Sequence, residues 1–192
     1  MTALFIKEML DEAGWKAADC DAVAVSSGPG SYTGLRVGSS TAKGLCFGAD
    51  LPLIAVSTPE ILVWQALEKG LLPDGCKHII PMIDARRMEV YAAVFSAGGE
   101  RESEISADII DGGSFAGELS DGRCLFIGDG AEKCKTAISS DNAFFEQCCP
   151  EAAHMLHPAL KAFEEKRFES IAYFEPFYLK DFVATVSKKK LF

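Results

Sequence analysis

The chain has 192 residues, 48% of them hydrophobic and 24% charged, which is enough for a real core in one large domain or two small lobes. Its formal net charge of −9 excludes general binding along a nucleic-acid backbone, which needs clustered Lys and Arg. No apolar run approaches the roughly 18 to 20 residues of a membrane helix, and the opening residues, with Glu8, Asp11 and Glu12, read as an acidic helix rather than a signal peptide. These readings point to the cytoplasm and away from a membrane.

In chain order, Leu4, Ile6, Met9, Leu10 and Ala13 share one helical face, and Gly14 ends that helix as a C-cap. Residues 21 to 26 read as a buried strand. A glycine loop follows, then a helix from about Thr33 to Phe47 closed by Gly48. Pro52 to Ser57 is a second strand. Ser57 or Thr58 caps the next helix, which has Pro59 in its first turn and runs to about Lys69. This β-α-β-α order predicts parallel strands joined by crossovers.

The texture then changes. His78 to Asp84 reads as a strand, Arg86-Arg87-Met88 as a tight turn, Glu89 to Ser96 as a returning strand, and about 101 to 110 as another extended segment. A β-meander replaces the crossovers. A short helix at "GGSFAGEL", a strand and glycine turn at "RCLFIGDGA", a helix at 130 to 139 and a longer helix at 151 to 167 complete the pattern. The expected organisation is α/β, with a first unit over 1–72 and a mixed α+β second unit over 73–192.

Seven cysteines, at 20, 46, 76, 124, 134, 148 and 149, form no CxxC pair. A zinc ribbon or thioredoxin-type site is therefore not expected, and buried reduced thiols are. Lys188, Lys189 and Lys190 form the one basic cluster and read as a solvated tail, with contact to RNA or a partner as the sharper alternative.

The stretch "AVAVSSGPGSYTGLRVG" (22–38) has the strand, glycine turn and helix start that often hold a phosphate. It is not a Walker loop, because Gly34 is followed by Leu35 and Arg36 where that motif needs Lys and Ser or Thr. Gly28, Gly30 and Gly34 give only GxGxxxG, and no acid ends the next strand to hold a ribose. The plain reading is a turn: Gly28 and Gly30 supply backbone freedom, Pro29 stiffens it, and Ser31 or Thr33 caps the helix. The following helix is rich in small residues, which lowers its propensity. Either it packs closely on its own sheet, or it and the first helix present a flat face to another protein.

Asp84 and Glu89 flank the turn that carries Arg86 and Arg87. Ion pairing with those arginines is the simplest reading, ahead of contact with a partner or ligand and of paired-carboxylate catalysis. His154 and His157 form HxxH, but no third ligand is placed with them, so they read as exposed or capping residues. Ser26, Ser27 and Ser31 lie on no GxSxG elbow, so a serine hydrolase is disfavoured.

The contiguous stretch "GPGSYTGLRVG" is similar to the signature of the bacterial TsaB (YeaZ) family. "STAKGLCFGADLPLIAVSTPEIL" (40–62), "PMIDARRMEVYAAVF" (81–95), "GDGA" (128–131) and "EPFYLK" (175–180) match it in order and spacing. The resemblance covers about residues 2 to 180. It implies the two-lobed ASKHA fold, shared by actin-like ATPases, acetate and sugar kinases and Hsp70. The family's usual opening strand with Ile-Asp-Thr-Ser and its hairpin do not precede the first helix here. The implied N-terminal lobe is thus incomplete, with an exposed sheet edge.

The resemblance also implies a role. TsaB-like proteins are non-catalytic scaffolds that bind the related catalytic subunit TsaD. With the ATPase TsaE they support tRNA N6-threonylcarbamoyladenosine synthesis. The implied partner face here comprises Leu4, Phe5 and Met9 on the first helix and Gly34, Leu35, Gly38, Ser39, Ala42, Leu45 and Cys46 on the second. Without TsaD the same face is expected to form a homodimer, and tRNA is reached only through the complex. No cofactor of its own is implied, although the loop at Gly28, Pro29, Gly30, Ser31 and Thr33 leaves room for weak ATP or ADP binding in the complex. The competing reading is a stand-alone nucleotide-dependent enzyme or peptidase-like protein of the same fold.

Overall fold

The computed structural model describes residues 2–179; the Lys188–Lys190 tail lies outside them. Helix α1 (Thr2–Ala13) stops where Gly14 takes φ 71°, with the Trp15 N–H donating to the Leu10 carbonyl at 2.9 Å. Strand β1 (Val23–Gly28) feeds α2 (Tyr32–Ala49), whose first free N–H groups are met in part by the Ser31 hydroxyl, 3.4 Å from the Gly34 nitrogen. The expected stop at Gly48 is wrong by two residues. Gly48 lies within the helix, and Asp50, at φ 56°, makes the left-handed exit.

Strand β2 (Leu53–Ser57) pairs in parallel with β1, Val23 opposite Leu53, as the crossover through α2 requires. At α3 (Thr58–Glu68) Ser57 and Glu60 form a reciprocal capping box. The two strands are covered on both faces. Val25, Leu53, Ala42 and Cys46 pack with Phe174 on one side; Ile54, Val56 and Ile61 pack with Met155 and Ala162 on the other.

The larger sheet has the order β6-β4-β3-β7-β8, from β3 (Cys76–Asp84), β4 (Glu89–Ala92), β6 (Ser106–Ile109), β7 (Arg123–Ile127) and β8 (Ala143–Glu146). The short β5 (Phe95–Ser96) also pairs with β3. The expected meander holds for β3, β4 and β6, but β7 returns in parallel beside β3 and β8 in parallel beside β7. The expected strand over 89–96 is broken because the Ser103 hydroxyl and the Glu102 and Ser103 N–H groups claim the Val94 backbone. Both faces are buried: Leu62, Val63 and Ala66 of α3 cover Ile79, Ile83, Leu125 and Ile127, while Cys134 and Ile138 cover Ile80, Met82 and Phe126.

Three helical expectations shrink. The "GGSFAGEL" helix is α4 (Ala116–Asp121), the 130–139 helix is α5 (Ala131–Cys134), and 151–167 becomes a 3-10 turn at Ala152–Met155 followed by α6 (Leu156–Glu164). Part of the unit expected over 73–192 returns to the first sheet. Met155, Ala162 and Phe174 return to pack on β1 and β2, and the Glu169 N–H donates to the Leu53 carbonyl at 2.8 Å.

Candidate partner face and glycine loop

The glycine loop is closed from one side by residues 170–177 of the same chain. The Phe177 N–H donates to the Ser27 carbonyl at 2.7 Å. Gly28 sits at φ 100°, and a Cβ there would lie 3.0 Å from both the Phe177 oxygen and a Leu35 methyl. This strap is the reason for that glycine. Lys43 of α2 anchors the strap by donating to the Phe174 and Ala172 carbonyls at 2.9 and 3.3 Å, and Tyr32 stacks on Tyr178 at 4.8 Å. An open hollow of about 340 Å³ remains between Ser27, Ala55, Glu169, Tyr173 and Phe177. Gly30 and Thr33 face open space, Pro29 follows a cis peptide bond, and the Ser26 hydroxyl shares a 2.9 Å hydrogen bond with Thr58.

The two helices named for the partner face divide cleanly by burial. On α1 no residue is buried; Leu4, Phe5 and Met9 stand 53, 58 and 59% exposed. On α2 the expected set must be corrected. Leu35, Ser39, Ala42 and Cys46 are buried against the sheet and the strap, because that stripe is the helix's inward face. Leu45 and Gly38 are half-buried and Gly34 is exposed. The outward face instead carries Val37 and Phe47, the latter 85% exposed.

Two of the helix glycines have no packing role among the described residues. A Cβ at Gly44 or Gly48 would meet nothing within 4 Å, and one at Gly38 would make ordinary contact with Val25. Each glycine inside a helix costs about 1 kcal/mol relative to alanine. Internal packing does not explain that cost at Gly44 and Gly48.

The Asp84 turn departs from its expected pairing. Asp84 accepts from the Arg86 backbone N–H at 2.9 Å and pairs with Lys133 of α5, which also donates to the Glu89 carbonyl at 2.6 Å. Lys133 was invisible as a partner because it lies 49 residues away. Partial burial pushes the Asp84 carboxyl up, but the Lys133 hydrogen bond, the Arg86 N–H and the charges of both residues outweigh it, leaving it below 3.8. Asp129 of the "GDGA" turn accepts from the Asp84 N–H at 2.9 Å. Gly128 and Gly130 permit that approach: a Cβ at Gly128 would lie 2.3 Å from the Met82 oxygen, and one at Gly130 2.9 Å from a Val90 methyl.

The histidines are structural in their contacts. His154, expected as an exposed or capping residue, is buried, with Nδ1 on Glu68 and Nε2 3.7 Å from Glu151. His157 stacks on Trp64 at 3.6 Å, so the two do not converge. His78 bridges Glu102 and Asp121 at 3.0 and 3.1 Å. Among the described residues no three His, Cys, Asp or Glu side chains are grouped to hold a metal. Burial pushes the Cys124 thiol up to about 12 and, with nearby Glu146, Cys148 up to about 11, so both stay protonated and unreactive near neutrality. No helix among the described residues is long and apolar enough to cross a membrane.

A family profile described as "TsaD: tRNA N6-adenosine threonylcarbamoyltransferase" matches residues 2–188. The chain is 31% identical to the tRNA threonylcarbamoyladenosine biosynthesis protein TsaB of Escherichia coli, over 93% of this chain and 79% of that one. With the protein of the same name from Haemophilus influenzae it shares 32% identity, over 97% and 80%. The likeness to the Thermus thermophilus tRNA N6-adenosine threonylcarbamoyltransferase is partial: 32% identity over 54% of this chain and 35% of the relative. Among solved structures, a Pseudomonas aeruginosa protein described as similar to peptidase YeaZ superposes with a TM-score of 0.78 at 25% identity, over 91% of this chain and 81% of that one. A YeaZ structure from the same organism gives 0.73.

Proposed function

The chain belongs to the TsaB/YeaZ family, and from that premise we propose that it is a cytoplasmic, non-catalytic scaffold subunit of tRNA N6-threonylcarbamoyladenosine modification. The profile that matches residues 2–188 carries the transferase's description, but individual TsaB relatives align over 93–97% of this chain against 54% for the Thermus thermophilus transferase, which supports the scaffold over the enzyme. In this reading α1 and the outward face of α2 dock on the equivalent helices of TsaD. TsaE joins that complex, and the same face forms a homodimer when TsaD is absent. The fold is mixed α/β with open sheets, in keeping with an ASKHA-type protein; the two sheets are read as its two lobes, with the C-terminal strap returning to the first.

The observation that carries the proposal is the exposed apolar set Leu4, Phe5, Met9, Val37 and Phe47 on two neighbouring helices. Single exposed apolar residues are ordinary, but a cluster on paired helices marks a contact surface. The glycines at 44 and 48 let a facing helix approach closely. Any ATP or ADP bound to the complex at the glycine loop would have to share it with the strap.

The test is a pull-down and calorimetric titration with TsaD. Met9→Glu and Phe47→Glu abolish binding in this reading, while Tyr173→Glu, at an 85% exposed site on the strap, does not. ATP turnover or peptide cleavage by the purified chain alone would favour the competing enzyme reading.

A further inference from the structure

The hairpin between β3 and β4 turns through Arg86 and Arg87, both left-handed, at φ 74° and 50°. Consecutive left-handed positions in hairpins are dominated by Asn, Asp and Gly, because other side chains crowd the backbone there. Arginine at both is not what folding alone selects. Strained backbone of this kind clusters at functional sites.

The turn is held from beneath. Asp129 takes the Asp84 N–H, Asp84 takes the Arg86 N–H, and Lys133 ties Asp84 to the Glu89 carbonyl. These contacts use the carboxylates and Lys133 internally. Both arginines are exposed, and neither guanidinium has a hydrogen-bond or ion-pair partner among the described residues. The tip also lies at the carboxyl ends of the parallel strands β3 and β7, the end of an open α/β sheet where ligands bind.

Two exposed guanidinium groups, on a turn whose backbone is held and with the charge of Arg86 also felt by Asp84, select an anion, and guanidinium planes match phosphate oxygens bidentately. An acidic protein would offer the same charge. Protein contacts, however, need an apolar centre, and on β3, β4 and β6 Ile109 is the one large exposed apolar side chain among the described residues. A phosphodiester contact needs no such centre.

We propose that this hairpin is an RNA-contacting element, which sets Arg86 and Arg87 on backbone phosphates of the tRNA bound by the assembled complex. The proposal rests on the scaffold reading above. It is a local contact of two charges, compatible with the acidity of the rest of the chain.

The experiment measures binding of a fluorescent, unmodified tRNA transcript to the assembled complex across a salt series, with wild type, Arg86→Asn/Arg87→Gly and Arg86→Lys/Arg87→Lys. The Asn-Gly pair suits the left-handed turn, so its melting temperature rises while its tRNA affinity falls about five- to tenfold at low salt. Its slope of log affinity against log salt shrinks by roughly 1 to 2. The Lys-Lys variant keeps most of the slope. Unchanged affinity and slope in the Asn-Gly variant overturn the proposal and leave the scaffold reading standing. So does weaker assembly of that variant with TsaD in the absence of RNA, which would make the hairpin a protein contact. A wild-type complex that assembles but binds no tRNA overturns the proposal alone, whereas a wild-type chain that fails to assemble with TsaD overturns the scaffold reading as well.

Discussion

The two sheets are built from similar strands and are finished differently. Around β3 and β7 both faces are sealed by α3, α5 and the loops, and Gly128 and Gly130 are there because the Met82 backbone passes within touching distance. Around β1 and β2 the inner stripe of α2 is equally buried, yet its outer face and all of α1 carry large apolar side chains to the surface beside glycines that touch nothing. Gly128 and Gly130 serve the fold. Gly44 and Gly48 on α2 cost the fold, and no packing among the described residues offsets that cost.

Substitutions at the two kinds of glycine therefore have opposite signs. Gly128→Ala drives a Cβ into the Met82 carbonyl from a φ of +132° and should destabilise the protein by about 3 kcal/mol or more, read by chemical denaturation. A core truncation sets the scale: Leu62→Ala, at a fully buried site, should cost about 2–5 kcal/mol. Gly44→Ala and Gly48→Ala should instead stabilise the isolated chain, by up to about 1 kcal/mol each, while weakening TsaD binding. A loss of stability at either would erase the contrast between the regions.

The smallest effect concerns Asp84. Its carboxyl is depressed in the folded protein, so its ionised form contributes stability above the unfolded-chain value, and that contribution is lost as pH falls through the depressed folded value. Asp84→Asn should flatten stability against pH in the acidic range below about 4 and leave the neutral-pH difference small, since the pair is half exposed. A wild-type acid limb that the variant reproduces unchanged would place the titration elsewhere.

Sequence punctuation made the first region legible. Gly14, Ser31 and the Ser57–Glu60 box each act within a few residues, so α1, α2 and α3 could be read from local chemistry. Long-range choices were not legible. The Asp84–Lys133 pair spans 49 residues, and the strap reaches Ser27 from Phe177. Strand β8 escaped notice because "NAFFEQCC" has no alternation, although Ser140 and Asp141 precede it and Pro150 follows it, and its pairing with β7 decides its state. His154 looked exposed because nothing local predicts that Glu68 closes over it. On the partner face, periodicity marked α2 as important, but only packing shows which stripe is free. Leu35, Ser39, Ala42 and Cys46 face inward, and Phe47, which was not among the expected residues, faces out.

Phe47 is thus where the account is most exposed to test. Calorimetric titration of TsaD with the Phe47→Glu variant should show at least a tenfold loss of affinity, with a melting temperature for the isolated variant close to wild type, because an 85% exposed side chain gives the fold little. Wild-type affinity in a folded Phe47→Glu variant would contradict the α1–α2 face as the docking surface.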